Sequence, residues 1–164
     1  IREFSGESEQ YDDFTVMILK FAENVTEFYS HSFPAVSSSI PKFRDFLTEK
    51  LKDKILREFA FDDILVSLDE AATNIVMHGY AETELANPMF QCEILIDHDR
   101  VFFTLIDQAK RFQRDLVPLP SLDENLRGER RGGFGVFLME KLMDKVSYEF
   151  KDNKNHTYLE KRII

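Results

Sequence analysis

Two runs of β-forming residues, QCEILID (91–97) and RVFFTLID (100–107), stand with only His98 and Asp99 between them. Runs this rich in Val, Ile, Leu, Phe and Thr favour extended backbone, and so short a connection can only fold the second run back on the first as an antiparallel hairpin. The elements on either side must therefore pack against a sheet. Upstream, Ser37-Ser38-Ser39 and Pro41 mark a helix start, because a serine oxygen can cap free backbone N–H groups and proline suits a first turn. Phe43, Phe46, Leu47 and Leu51 then give that helix one apolar face as far as about Ile55. Asp62 or Asp63 is expected to cap a second helix, whose inner side carries Ile64, Leu65, Leu68, Ala72, Ile75 and Val76. Residues 27–35 alternate like a half-buried strand, and residues 1–24 read as a polar start followed by an apolar strand, Phe14 to Phe21.

Downstream of the hairpin, residues 108–131 are the longest stretch without periodicity, with Pro118 and Pro120 inside it and Arg130-Arg131 at its end. A loop of that length within one domain is commonly functional, often a lid. Gly132, Gly133 and Gly135 then open a third helix, Val136 to about Lys145, and strands at 146–150 and 157–162 close the chain. The order predicts an α/β (α+β) two-layer sandwich, with helices on one face of a mixed, mostly antiparallel sheet. At 164 residues the chain suits one such domain and not two.

Composition narrows the function classes. The chain is 43% hydrophobic and 31% charged, which excludes a disordered or fibrous protein, and its formal charge of −9 argues against a broad nucleic-acid or anionic-membrane surface. No apolar run approaches the roughly 20 residues that span a bilayer. Cys92, the single cysteine, can form no internal disulfide and fits a reducing cytoplasm. Sixteen Phe and no Trp predict a core built on phenylalanine. The chain opens at Ile1 with neither an initiator Met nor a signal peptide, so a piece of a longer protein is expected.

Two clusters could carry chemistry. Glu70, Asn74 and His78 recur every fourth residue of the second helix and share a face beside its apolar stripe. A carboxylate can serve as general base, and an amide oxygen is a hard ligand suited to Mg²⁺; spacing alone is equally met by a solvated helix face. The second cluster is RRGGFG (130–135), where backbone N–H groups at a helix start attract anions and the arginines pair with phosphate. Taken alone it also fits a tight turn. Asp107, at the end of a strand, is either a turn residue or a recognition group for an exocyclic amine or metal.

In their order along the chain, DEAATNIVMHGY (69–80), IDQAKRF (106–112) and RGGFGVFLMEKLMDKV (131–146) resemble the boxes of the GHKL ATPase superfamily, and most closely those of the bacterial anti-sigma-factor serine/threonine kinases. HSFPAVSSSIPKFRDFL (31–47) resembles the first strand and helix of the same kinases, so the resemblance covers roughly residues 28–164. It implies a histidine-kinase-like ATPase fold that binds ATP with Mg²⁺. By the same resemblance Glu70 is the catalytic base and Asn74 the metal ligand. Asp107 is the residue that reads the adenine amine, with His78, Arg131, Gly132, Gly133, Phe134, Gly135, Val136 and Thr157 completing the nucleotide site. The implied partners are an anti-anti-sigma protein as substrate, a sigma factor held inactive, and a second copy in a homodimer; the implied location is cytoplasmic.

Two positions depart from the pattern. The first glycine box is normally Asp-x-Gly and here reads Asp107-Gln108-Ala109, so a methyl is expected to crowd the base or to restrict a positive φ. Near the C-terminus His156-Thr157 stands where Gly-Thr is usual. At the front, YDDFTVMILKF (11–21) resembles the last strand of the metal-dependent bacterial serine phosphatases, with Asp12 at the place of a metal ligand. Residues 1–27 are then an extension that ends an upstream phosphatase domain, and residues 28–164 are the kinase-like domain. Three other functions share this fold: a partner-binding module with little or no catalysis, the catalytic domain of a histidine kinase, and a simple ATP hydrolase.

Overall fold

The computed structural model describes residues 25–81, 85–117 and 134–164. The apolar run Phe14–Phe21, the prolines at 118 and 120 and the arginines and glycines at 130–133 lie outside the described residues. In chain order the elements are β1 (Val25–Pro34), α1 (Ser39–Leu51), α2 (Ala60–Asn74), β2 (Met89–Asp97), β3 (Arg100–Asp107), α3 (Phe134–Leu142), β4 (Lys145–Lys151) and β5 (Lys154–Arg162). The strands form one sheet in the order β1-β2-β3-β5-β4, and every neighbouring pair is antiparallel. The sequence left open a mixed sheet, but no pair among these five runs parallel. The β4–β5 turn is made by Asp152 and Asn153, both with positive φ (52° and 58°), the geometry that short hairpins prefer because it matches strand twist.

Alternation along the strands decides which face is covered. In β2 and β3, Phe90, Cys92, Ile94, Ile96, Val101, Phe103 and Leu105 are buried, while the residues between them are only half-buried. The helices lie on that buried face. Phe33, Phe43 and Phe90 pack together on it, with ring centroids 5.3 to 5.5 Å apart, but among the described residues Leu, Ile and Ala fill most of the core, so it is less a phenylalanine core than the composition predicts.

Helix ends differ from the sequence reading. No serine oxygen caps α1; the N–H groups of Ser39 and Ile40 bond instead to the carbonyls of Val36 and Ser37. The helix also stops at Leu51 rather than Ile55, because the following segment is drawn to the end of β5, where Leu56 and Arg57 both donate to the Ile163 carbonyl. Neither Asp62 nor Asp63 caps α2. That helix starts at Ala60 after Phe59, which has φ 63°, and both aspartates lie in its first turn, where the helix dipole favours them. Asp63 has a tertiary partner instead: Lys161 Nζ bonds its Oδ2 at 2.7 Å and also bonds the Leu142 carbonyl, clamping β5 to both α2 and the end of α3. Finally, α3 begins two residues before Val136 and ends at Leu142. Asp144 N bonds the Glu160 carbonyl and Asp144 Oδ2 accepts from Arg162 N, so the chain has already joined the sheet by Lys145.

Candidate functional site

The inner side of α2 faces α3, and the two helices meet at a glycine. A Cβ on Gly135 would collide with Glu70 Oε2 and stand 3.6 Å from Asn74 Nδ2, so the glycine lets the first turn of α3 lie against both side chains with Glu70 in its present position. After Asn74 the helix widens into a π-helical turn over Ile75–Gly79, a feature frequent at functional sites. This turn takes His78 out of strict α-helical register with Glu70 and Asn74. Beyond it, Tyr80 joins α2 to the sheet: its hydroxyl donates to the Met89 carbonyl (2.8 Å) and accepts from Gln108 N (2.9 Å). Burial pushes that hydroxyl's pKa up.

Between α2, the start of α3 and the ends of β3 and β5 lies a cavity of about 350 Å³. Asn74, His78, Asp107, Gly135, Val136 and Thr157, all singled out in the sequence, lie on its wall. Glu70 and Phe134 do not. Glu70 is half-buried behind Gly135 and Asn74, and Phe134 turns its ring edge-on to Phe137, with centroids 6.4 Å apart. Arg131, Gly132 and Gly133 lie outside the described residues.

Asp107 is the buried charge of the site, at 4% exposure. Its Oδ1 accepts from Ala109 N and from Asn155 Nδ2, each at 2.8 Å, which leaves Oδ2 without a partner among the described residues. Burial raises the carboxyl above its usual range; the Asn155 and Ala109 hydrogen bonds and the nearby His156 pull it back. The turn role and the recognition role foreseen for Asp107 are therefore compatible, one on each oxygen. Ala109 does not obstruct this arrangement. It is absent from the non-glycine residues with positive φ, and its methyl points at Gly79, where an added Cβ would stand 2.8 Å away. The expected positive φ is not needed here.

Sequence reasoning missed two parts of the wall and one ion pair that lies off it. Asn155 is the first. It is 5% exposed and directly opposite Asp107 across β3 and β5. The second is an aromatic pair, Phe112 and Tyr148, with centroids 4.7 Å apart; the buried Tyr148 hydroxyl has no hydrogen-bond partner among the described residues, and burial raises its pKa. The third is a two-point ion pair from Arg114 to Glu140 (2.5 and 2.7 Å), which ties the segment after β3 to α3 and lowers the pKa of Glu140. Its two residues are 26 apart in sequence, so no local pattern gives them away. Asn155 could have been suspected as a polar residue at an inward position of a strand.

The sequence profile of the histidine kinase-like ATPase domain matches residues 33–161. The chain belongs to this family. The matched span of the histidine kinase-like ATPase domain includes every residue of the cavity wall. Serine-protein kinase RsbW of Staphylococcus epidermidis is 34% identical over 95 residues, 54% of this chain and 59% of that protein. Serine-protein kinase RsbW of Staphylococcus aureus (strain JH9) is 33% identical over 93 residues, 52% of this chain and 56% of that protein. This chain thus spans a little under three-fifths of the curated relatives' length. The crystal structure of the RsbU and RsbW domains of a Mycobacterium tuberculosis protein covers 84% of this chain and 33% of that one, with a TM-score of 0.57 and 18% identity, a likeness of fold. No helix among the described residues is long and apolar enough to cross a membrane.

Proposed function

We propose that this chain is an ATP-dependent serine/threonine protein kinase of the anti-sigma-factor type, which phosphorylates an anti-anti-sigma protein and sequesters a sigma factor. One observation carries the reading: a single cavity is lined both by a buried carboxylate, Asp107, with one oxygen uncommitted among the described residues, and by Asn74 beside Gly135 in the first turn of α3. An uncommitted carboxylate oxygen suits the exocyclic amine of adenine. The first turn of α3, with Gly135 and Val136 on the wall, offers backbone N–H groups and a favourable dipole to phosphate. The similarity to serine-protein kinases named RsbW supports serine as the acceptor.

Mg²⁺ fits this donor set in a particular way. Among the described residues no group of three or more His, Cys, Asp or Glu side chains could hold a metal ion. Asn74 offers one hard oxygen on the cavity wall, the kind of single contact that Mg²⁺ uses when phosphate oxygens and water complete its shell. Bound there, Mg²⁺ would neutralise phosphate charge. The chain's own residues do the rest. Asp107 orients the base, Thr157 lines the wall with a hydroxyl, His78 and the start of α3 (with Arg131, Gly132, Gly133 and Phe134) flank the phosphates, and Glu70 accepts the proton of the substrate hydroxyl. As that oxygen bonds to the γ-phosphorus, the bond to the β–γ bridging oxygen breaks and ADP leaves.

In this reading the protein acts in the cytoplasm as a homodimer, and residues 1–27 are an extension that ends an upstream phosphatase domain. The kinase step is tested with Glu70→Ala. Transfer to the partner serine should fall roughly 10²–10⁴-fold, the usual worth of a general base, while ATP binding is kept. Unchanged transfer would remove Glu70 from its role. A second reading has its own support, since Glu70 stands behind the wall and not on it. A binding module that holds nucleotide with little transfer would give ATP binding and no phosphorylated partner.

A further inference from the structure

We propose that Asn155 is a positioning residue for base recognition: its buried amide orients the Asp107 carboxylate so that one oxygen is presented to an exocyclic amine. The inference rests on the reading of the cavity as an ATP site. Asn155 lies on the inner face of β5, paired with Asp107 in the sheet register. Its Oδ1 accepts from Phe112 N at 2.9 Å, which fixes the sense of the amide. Nδ2 must then point the other way, and it donates to Asp107 Oδ1 (2.8 Å) and to the carbonyls of Lys110 (3.1 Å) and Ala109 (3.3 Å). One side chain thus serves four partners within residues 107–112, and all of its polar atoms are engaged.

The consequence for Asp107 is directional. A carboxylate with two free oxygens can rotate and offer either one. Here Oδ1 is held by two donors, so the plane and direction of Oδ2 are set before any ligand arrives, and the cost of ordering it at binding is already met. Such an oxygen accepts from the amine at C6 of adenine. It repels the carbonyl that hypoxanthine carries at the same place, so discrimination between ATP and inosine triphosphate (ITP) reports on this one atom. A residue that merely braced β3 against β5 would weaken both nucleotides by the same factor.

The test is a calorimetric titration of Mg·ATP and Mg·ITP into the wild type, Asn155→Leu, Asn155→Asp and Asp107→Asn. Leucine suits a buried strand position and removes every polar contact. Aspartate keeps the size and the acceptor for Phe112 N but turns the donor beside Asp107 into a second acceptor, so it remains informative if the leucine variant does not fold. The wild type should prefer ATP. Both Asn155 variants should weaken ATP by about tenfold or more, the worth of one hydrogen bond to a charged group, and ITP much less. In the Asp107→Asn background, Asn155→Leu should leave the ATP-to-ITP ratio where Asp107→Asn puts it. An unchanged ratio in both Asn155 variants of a nucleotide-binding wild type overturns the role of Asn155. A wild type that binds neither nucleotide overturns the ATP-site reading and this role with it.

Discussion

Asp107 shows most plainly how burying a charge costs stability at a single residue. The folded protein holds this carboxyl above its usual range, mainly by burial, so the folded state binds its proton more readily than the unfolded chain does. Stability from this group is therefore greatest at acid pH and is lost as pH rises through the carboxylate range and above it. Asp107→Asn keeps an acceptor for Ala109 N and Asn155 while removing the buried charge. It should raise the melting temperature at neutral pH, and its advantage over the wild type should shrink as pH falls. A melting-temperature difference that grows toward acid pH would contradict the assignment. The residues of this site divide by legibility. Glu70, Asn74, Asp107 and Gly135 stand in short boxes whose spacing is visible in the chain. Asn155 is not legible in that way, because its partners at 107–112 lie more than 40 positions away and are brought to it by strand pairing.

At the scale of elements, the junction of α2 with the sheet is built by mutual exclusion. The π-helical turn delivers Gly79 against Ala109, Lys110 N bonds the Gly79 carbonyl (3.3 Å), and only one of positions 79 and 109 has room for a Cβ. Gly79→Ala should overpack this contact by about 1–3 kcal/mol and weaken nucleotide binding, and Ala109→Gly in the same chain should restore both. Urea unfolding of the two single variants and the double variant measures the coupling; simple additivity would refute it. This explains how the chain departs from Asp-x-Gly without distorting the loop: the methyl at 109 fills the space left open at 79. Helix positions were legible because apolar periodicity reports burial. Helix ends were not. They depend on where the chain goes next, as with Asp63, which is drawn into the Lys161 clamp rather than a cap.

At the scale of the whole molecule, the β2–β3 hairpin and the phenylalanine face organise the rest. Phe33, Phe43 and Phe90 join β1, α1 and β2 into one packed layer, and the antiparallel order β1-β2-β3-β5-β4 puts Asp107 and Asn155 side by side at the cavity. The two-layer architecture followed from the order of helix-type and strand-type periods. The cavity did not, because its wall is assembled from α2, the β3 exit, α3, β4 and β5, which are distant along the chain. In the proposed function this cavity is an ATP site completed by Asn74. Calorimetric titration of Mg·ATP into the wild type and Asn74→Ala tests it most directly. Saturable binding in the wild type that is lost in Asn74→Ala is the predicted result; no binding by the wild type up to millimolar ATP, or equal binding by both proteins, would contradict it.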